Sequence, residues 1–249
     1  MKFSANLGFL WTDRPLANAI RAARAAGFDA VECHWPYGES IEDVRSALDE
    51  TGLPMLGLNT IKGDSNGLSA MPGHETEAQI AIDQGLEYGQ QIGAKNLHVM
   101  AGITDHPDAH ACFLNNLRYA SEQAIKAGIG ILIEPLNPVD VPGYFLSTQE
   151  QARAIVAELG LANVRVMFDC YHVGKTEGDV LKELSKCWDT LGHIQFAGVP
   201  DRSEPDQGSV DYPTIFEAIR TAGWNAPLGA EYRPSAGVEE GLGWLTRWQ

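Results

Sequence analysis

The chain has 249 residues, 44% of them hydrophobic, with 33 acidic against 18 basic side chains and a formal net charge of −15. That length carries one large α/β domain or two small ones, and the acidic balance excludes the basic footprint that a nucleic-acid or anionic-membrane binder needs. Cys33, Cys112, Cys170 and Cys187 form no C-x-x-C pair, no apolar run nears the ~18 residues of a membrane span, and the start MKFSANLGF lacks an apolar signal core, so reduced thiols and a cytoplasmic location are expected.

Taken in order, FSANLGF reads as a first strand. Pro15 opens a helix through Ala26, with Leu16, Ala19, Ile20 and Ala23 at helical spacing and Gly27 as its stop. DAVECHW is a second strand. Ser40 caps the helix IEDVRSALDE, whose early Glu42 and Asp43 suit the positive end of the dipole. Gly52 ends it, and LPMLGLN is the third strand. Residues 60–73 hold Gly63, Gly67 and Gly73 without periodicity and read as a long loop, of a length that tends to be functional. A helix over 75–92 leads to KNLHVMAG, the fourth strand, and another from Pro107 to about Lys126 leads to IGILIEP, the fifth. After the turn PLNPVDVPG, Ser147 or Thr148 caps a helix to about Glu158, and NVRVMFD is strand six. GDVLKELSKC is a helix, LGHIQFAG strand seven, a Pro213-led helix follows, APLGAEY is strand eight, and 238–248 form a closing helix.

Eight strands alternating with eight helices, with no break in composition, imply parallel strands joined by right-handed crossovers. In about 250 residues this predicts a single (β/α)8 barrel over 1–249.

The stretch IGILIEPLN anchors the functional reading. A short apolar run closed by Glu134 and Pro135 is a strand buried on both faces, and a carboxylate there is costly unless something pairs with it. The pattern recurs downstream: VRVMFD ends in Asp169, HIQFAG carries Gln195 and PLGAEY carries Glu231. The spacing is roughly 30 residues, one strand–helix unit of a barrel whose active site lies at the strand C-terminal ends. Taken singly, each donor would be a strand-end cap for a neighbouring helix; four in succession predict a divalent-metal site. All four offer oxygen, provided the Gln195 amide turns its carbonyl inward, which favours Mg²⁺ or Mn²⁺ over Zn²⁺. His172 is expected in a loop just beyond strand six, above the site. His98 reads as a satisfied core histidine, and His106 with His110 as a solvated pair. VGKT at 173–176 lacks the upstream glycine of a phosphate loop, Asp169 standing there, and HETEA lacks the second histidine of a zinc motif.

IEPLN, MFDCYH, HIQFAGVPDRSEPDQG and GAEY, with the early WPY and the central HVMAG, resemble the hydroxypyruvate isomerase family, within the xylose isomerase-like (β/α)8 superfamily. The resemblance spans nearly the whole chain. Its most specific piece is 195–208, because sugar epimerases and endonucleases of the superfamily usually have histidine where this chain has Gln195. The resemblance implies metal ligands at Glu134, Asp169, Gln195 and Glu231, catalytic glutamates at Glu134 and Glu231, and substrate contacts at His172 and, after a one-residue shift, Arg202. Where the epimerases carry a sugar-contacting glutamate six residues past the first ligand, this chain has Asp140, which speaks against a ketohexose.

The implied reaction interconverts hydroxypyruvate and tartronate semialdehyde through an enediolate. Three carboxylates around a 2+ ion leave a net negative ligand set, so an anionic keto or aldehyde acid needs a local cation: Arg202 first, with Lys175 and Arg233 behind it. The rival enzyme reading is an isomerase or 3-epimerase of another small sugar or sugar acid, such as a 2-oxo-tetronate. A DNA-repair endonuclease would need a basic groove and more histidine ligands. A barrel with a decayed site would only bind a metabolite or partner. Whether the chain forms a homo-oligomer stays open.

Overall fold

The computed structural model describes all of residues 1–249. Its strands are β1 (Phe3–Asn6), β2 (Ala30–Glu32), β3 (Gly57–Asn59), β4 (Asn96–His98), β5 (Gly130–Ile133), β6 (Val164–Asp169), β7 (Leu191–Phe196) and β8 (Leu228–Ala230). Between and after them lie α1 (Leu16–Ala26), α2 (Ile41–Thr51), α3 (Glu75–Ile92), α4 (Ala109–Ala127), α5 (Gln149–Leu159), α6 (Cys170–Thr176), α7 (Val180–Ser185), α8 (Tyr212–Thr221) and α9 (Gly243–Trp248). All ladders are parallel, in the order β2-β1-β8-β7-β6-β5-β4-β3. The Val31–Met55 bridge and the bonds Leu56 N–H to Val31 O (2.7 Å) and Cys33 N–H to Gly57 O (3.0 Å) close the seam between β2 and β3. The result is the (β/α)8 TIM barrel that the alternation predicts.

Most helix boundaries follow from local chemistry. Ser40 and Thr148 accept the N–H of Asp43 and Gln151, capping α2 and α5, and Gly27, Gly52, Gly93, Gly128 and Gly160 end their helices in the left-handed conformation. Three expectations need correction. Residues 170–176 form helix α6 rather than a loop, because the Asp169 carboxylate accepts the Tyr171 N–H at 2.8 Å and caps a helix where the strand ends. There are therefore nine α-helices, not eight. The closing helix is only α9, preceded by a separate 3-10 turn over Glu239–Gly241.

Alternation along the strands sends Val31, Ile131, Ile133, Phe168 and Phe196 outward against the helices, in a continuous core of 65 buried residues. Burying such side chains stabilises by roughly 1.5–3 kcal/mol each before entropy is counted. Trp244 of α9 packs on Phe3 and Phe196, tying the C-terminus beneath β1 and β7. Residues 60–73 are a loop, as expected, and it docks on the chain beyond β4: Ala70 N–H donates to Ala101 O, and Ile103 N–H to Ser65 O. Gly67 permits this approach, since a Cβ there would lie 2.4 Å from Met100 O and its φ is +106°. The four cysteines are free and buried, and no helix is long and apolar enough to cross a membrane.

Candidate active site

All eight strands end in a polar residue: Asn6, Glu32, Asn59, His98, Glu134, Asp169, Gln195 and Glu231 lie at or within one residue of the C-terminal ends. Every one except Asn59 is buried. Leu132, Met167 and His193 fill the lumen below them, around a cavity of ≈ 20 Å³ that His98, Glu32 and Gln195 also line. That is room for about one water-sized guest.

Glu231 is the most heavily held carboxylate. Its Oε1 accepts from Asn6 Nδ2 at 3.0 Å and meets His34 Nε2 at 2.7 Å, while Oε2 accepts from Arg202 Nη2 at 2.5 Å. Burial alone would raise its pKa, but Arg202 and His34 outweigh burial and hold it at about 2. Glu134 is the opposite case. Burial, reinforced by the charges of Glu231 and Asp169, pushes its carboxyl well above the usual range, and its Oε1 is buried without a partner. Burial likewise lifts Asp169 to about 7 against the pull of Arg202, whose Nη2 lies 3.3 Å from Oδ2.

Arg202 has a left-handed backbone (φ +57°), rare for a side-chain-bearing residue, and its guanidinium stacks on Phe9 at 4.9 Å and Tyr171 at 4.8 Å. Its Nε and Nη2 serve Glu231 and Asp169, which leaves Nη1 without a partner in the chain.

His172 takes the Asn137 backbone N–H on its Nδ1 at 3.1 Å, so the neutral ring carries its proton on Nε2. That N–H faces Glu134 Oε1 and Asp169 Oδ2, each 3.6 Å away. Burial pushes the imidazole down to about 3, which keeps it neutral. Asp140 stands one layer out, accepting from Asn137 and from the Tyr171 hydroxyl at 2.7 Å. Lys175 donates to Pro200 O at 2.6 Å, and Arg233 lies over Phe9 at 5.5 Å.

The structure thus gathers Glu134, Asp169, Glu231, His172 and Arg202, with Gln195 beside Asp169 in register. It also adds residues that the sequence reading passed over. Glu32 is buried, and burial is outweighed by His193 and Gln195, which hold its carboxyl below the usual range. DAVE ends a strand on a carboxylate just as ILIE does, and FSAN ends one on Asn6, so the same grammar was available at strands one and two. His98 is buried but not satisfied: neither ring nitrogen has a hydrogen-bond partner, and Nδ1 lies 3.6 Å from Glu134 Oε2. The solvated pair stands, His106 and His110 being exposed, the latter on Glu158.

A divalent ion fits this donor set. Glu134 and Asp169 offer oxygens within 4.8 Å of each other, and the Oε1 atoms of Glu134 and Gln195 are buried acceptors without donors, whereas His172 faces them with an N–H and is not itself a ligand. Four buried carboxylates, of Glu32, Glu134, Asp169 and Glu231, lie at this end of the barrel, and Arg202 meets Asp169 and Glu231. Hard oxygen donors short of positive charge suit a hard cation.

Residues 20–248 match the family model of xylose isomerase-like TIM barrels. The chain is 42% identical over 252 residues to the 2-oxo-tetronate isomerase of Cupriavidus necator, covering 98% of this chain and 97% of the relative. It is 31% identical to the hydroxypyruvate isomerase of Escherichia coli, over 98% of both chains. The solved AP endonuclease, family 2, of Brucella melitensis has a TM-score of 0.95 at 33% identity, over 100% and 99% of the two chains. The 3-keto-D-glucoside 4-epimerase of E. coli, at 24% identity and a TM-score of 0.82, over 98% of both chains, shares the fold. The barrel and the family match together define the class, the xylose isomerase-like TIM barrels. The chain belongs to the xylose isomerase-like TIM-barrel family and, within it, is an isomerase of the hydroxypyruvate isomerase group.

Proposed function

We propose that this isomerase moves the carbonyl of a short 2-oxo-3-hydroxy acid between C2 and C3, hydroxypyruvate to tartronate semialdehyde being the smallest case. The carrying observation is the pair of buried glutamates, Glu134 and Glu231, that directly follow β5 and β8 at the C-terminal end of the barrel. The reaction removes a proton from C3 and delivers one to C2, passing through an enediolate. A divalent ion, Mg²⁺ or Mn²⁺, held by Glu134, Asp169, Gln195 and Glu231 would supply Lewis-acid stabilisation for the charge that develops on the two adjacent oxygens. Glu231, fixed by Asn6, His34 and Arg202, is the base that takes the C3 proton. Glu134, buried beside β5, returns a proton at C2. His172 presents its Nε2–H to a substrate oxygen between Glu134 and Asp169. Arg202 offers Nη1 to the substrate carboxylate, while Asp140 holds Tyr171 against the guanidinium.

The name of the 42% identical relative favours a second reading, a four-carbon 2-oxo acid with one more CH₂OH at C3. Initial rates with Mg²⁺ or Mn²⁺ on hydroxypyruvate and on 2-oxo-tetronate decide between them by kcat/KM. Turnover of neither acid sinks the proposal. Arg202→Ala removes a charge-assisted hydrogen bond worth on the order of 1.5–3 kcal/mol, so KM should rise roughly 10- to 150-fold. A KM within a factor of two of wild type would show that Arg202 does not hold the carboxylate.

A further inference from the structure

We infer that Glu32, which is not one of the four donors, is the positioning residue that turns the Gln195 carbonyl toward the ion and steadies Glu231 beside it; this rests on the metal reading above. An amide has two ends of nearly equal shape and opposite hydrogen-bonding sense, and its neighbours decide which end faces which way. Glu32 Oε1 accepts Gln195 Nε2 at 2.8 Å. A carboxylate can only accept, so the amide NH₂ must face Glu32 and the carbonyl must face away. That carbonyl, Gln195 Oε1, is buried and has no donor.

The same oxygen of Glu32 accepts Asn6 Nδ2 at 3.1 Å, and Oε2 meets His193 Nε2 at 2.8 Å. Asn6 is itself oriented, because its Oδ1 takes the Gly8 N–H at 2.9 Å, so its NH₂ bridges Glu32 and Glu231. Both oxygens of Glu32 are therefore occupied by donors, unlike Glu134 Oε1. The sheet makes room for this arrangement at one place. Gly229 pairs with Gln195 across β7 and β8, and a Cβ there would lie 2.6 Å from Glu32 Oε1 and 2.8 Å from Gln195 Cγ. Where the ligand is an amide rather than an imidazole, an acceptor behind it does the work that a carboxylate does behind a metal-bound histidine.

The test is calorimetric titration with Mn²⁺ alone, on full-length protein whose melting is checked first. E32Q lets the new amide donate to the Gln195 carbonyl and turn it away, so affinity should fall about 10- to 100-fold, the usual effect of losing such a partner. The double variant E32Q/Q195E restores a donor facing an acceptor and should recover at least half of that loss on a logarithmic scale. Q195E alone sets two carboxylates against each other and should bind more weakly than the double variant. G229A crowds the pair without changing its chemistry and should also weaken binding, which keeps the test open if E32Q does not fold. Wild-type affinity in E32Q or in G229A overturns the assignment, as does a double variant no better than E32Q or no better than Q195E. Wild type that takes up no Mn²⁺ overturns the metal reading itself, a result distinct from these.

Discussion

Glutamine in place of Glu231 or Glu134 should lower turnover by about 10²- to 10⁴-fold at saturating Mg²⁺ or Mn²⁺, the usual worth of a positioned proton-transfer group. The replacement keeps size and one carbonyl oxygen, so neighbouring contacts largely survive. At position 231 the amide carbonyl can still accept from Asn6 or Arg202, which now hold the carboxylate. At 134 the nearest nitrogens, on His98 and His172, are 3.6 Å away and lose no hydrogen bond. Loss of rate would therefore report loss of a proton carrier rather than collapse of the site. The measurement is initial rate at saturating substrate and metal. If both variants keep more than about a tenth of wild-type turnover, proton transfer belongs to another group, and His172 is the next candidate.

Asp169→Ala should abolish metal retention while leaving the chain folded. The side chain serves twice: one oxygen caps α6 through the Tyr171 N–H, the other meets Arg202. Losing a cap costs about 0.5–2 kcal/mol, well short of a domain's usual stability. A ligand present at 100 times its Kd adds about 2.7 kcal/mol to the native state, so Mn²⁺ should raise the Tm of wild type and leave the variant's unchanged. Elemental analysis after desalting provides the direct check. Equal metal content in the two proteins would remove Asp169 from the ligand set.

The barrel was legible because each unit announces itself locally. Short apolar runs make the strands, and the helix stops at Gly27, Gly52, Gly93, Gly128 and Gly160 are glycines whose left-handed conformation sequence can anticipate. Glu134, Asp169, Gln195 and Glu231 stood out for the same reason, as polar residues closing apolar strands. Helix α6 has no periodic pattern of its own to announce it: seven residues long, it begins where Asp169 is site donor and cap at once. The second ring of residues was harder to read. Asn6 and Glu231 are 225 positions apart in the chain and Glu32 and Gln195 are 163 apart, so their pairing is a product of barrel closure. Arg202 could be assigned as a cation near the site. Its bond to the protein's own carboxylates depends on a left-handed backbone that no local pattern in VPDRSEP announces.

The central claim is that two different side chains remove and return the proton. Wild-type enzyme loaded with Mg²⁺ or Mn²⁺, given hydroxypyruvate in D₂O, tests it most directly by proton NMR. The account predicts that solvent deuterium replaces hydrogen at C3 of the recovered substrate and occupies C2 of the tartronate semialdehyde formed. Product that forms at full rate with the original hydrogen at C2, and substrate that shows no exchange at C3, would contradict it, because the hydrogen would then pass directly between the carbons or be carried by a single shielded group.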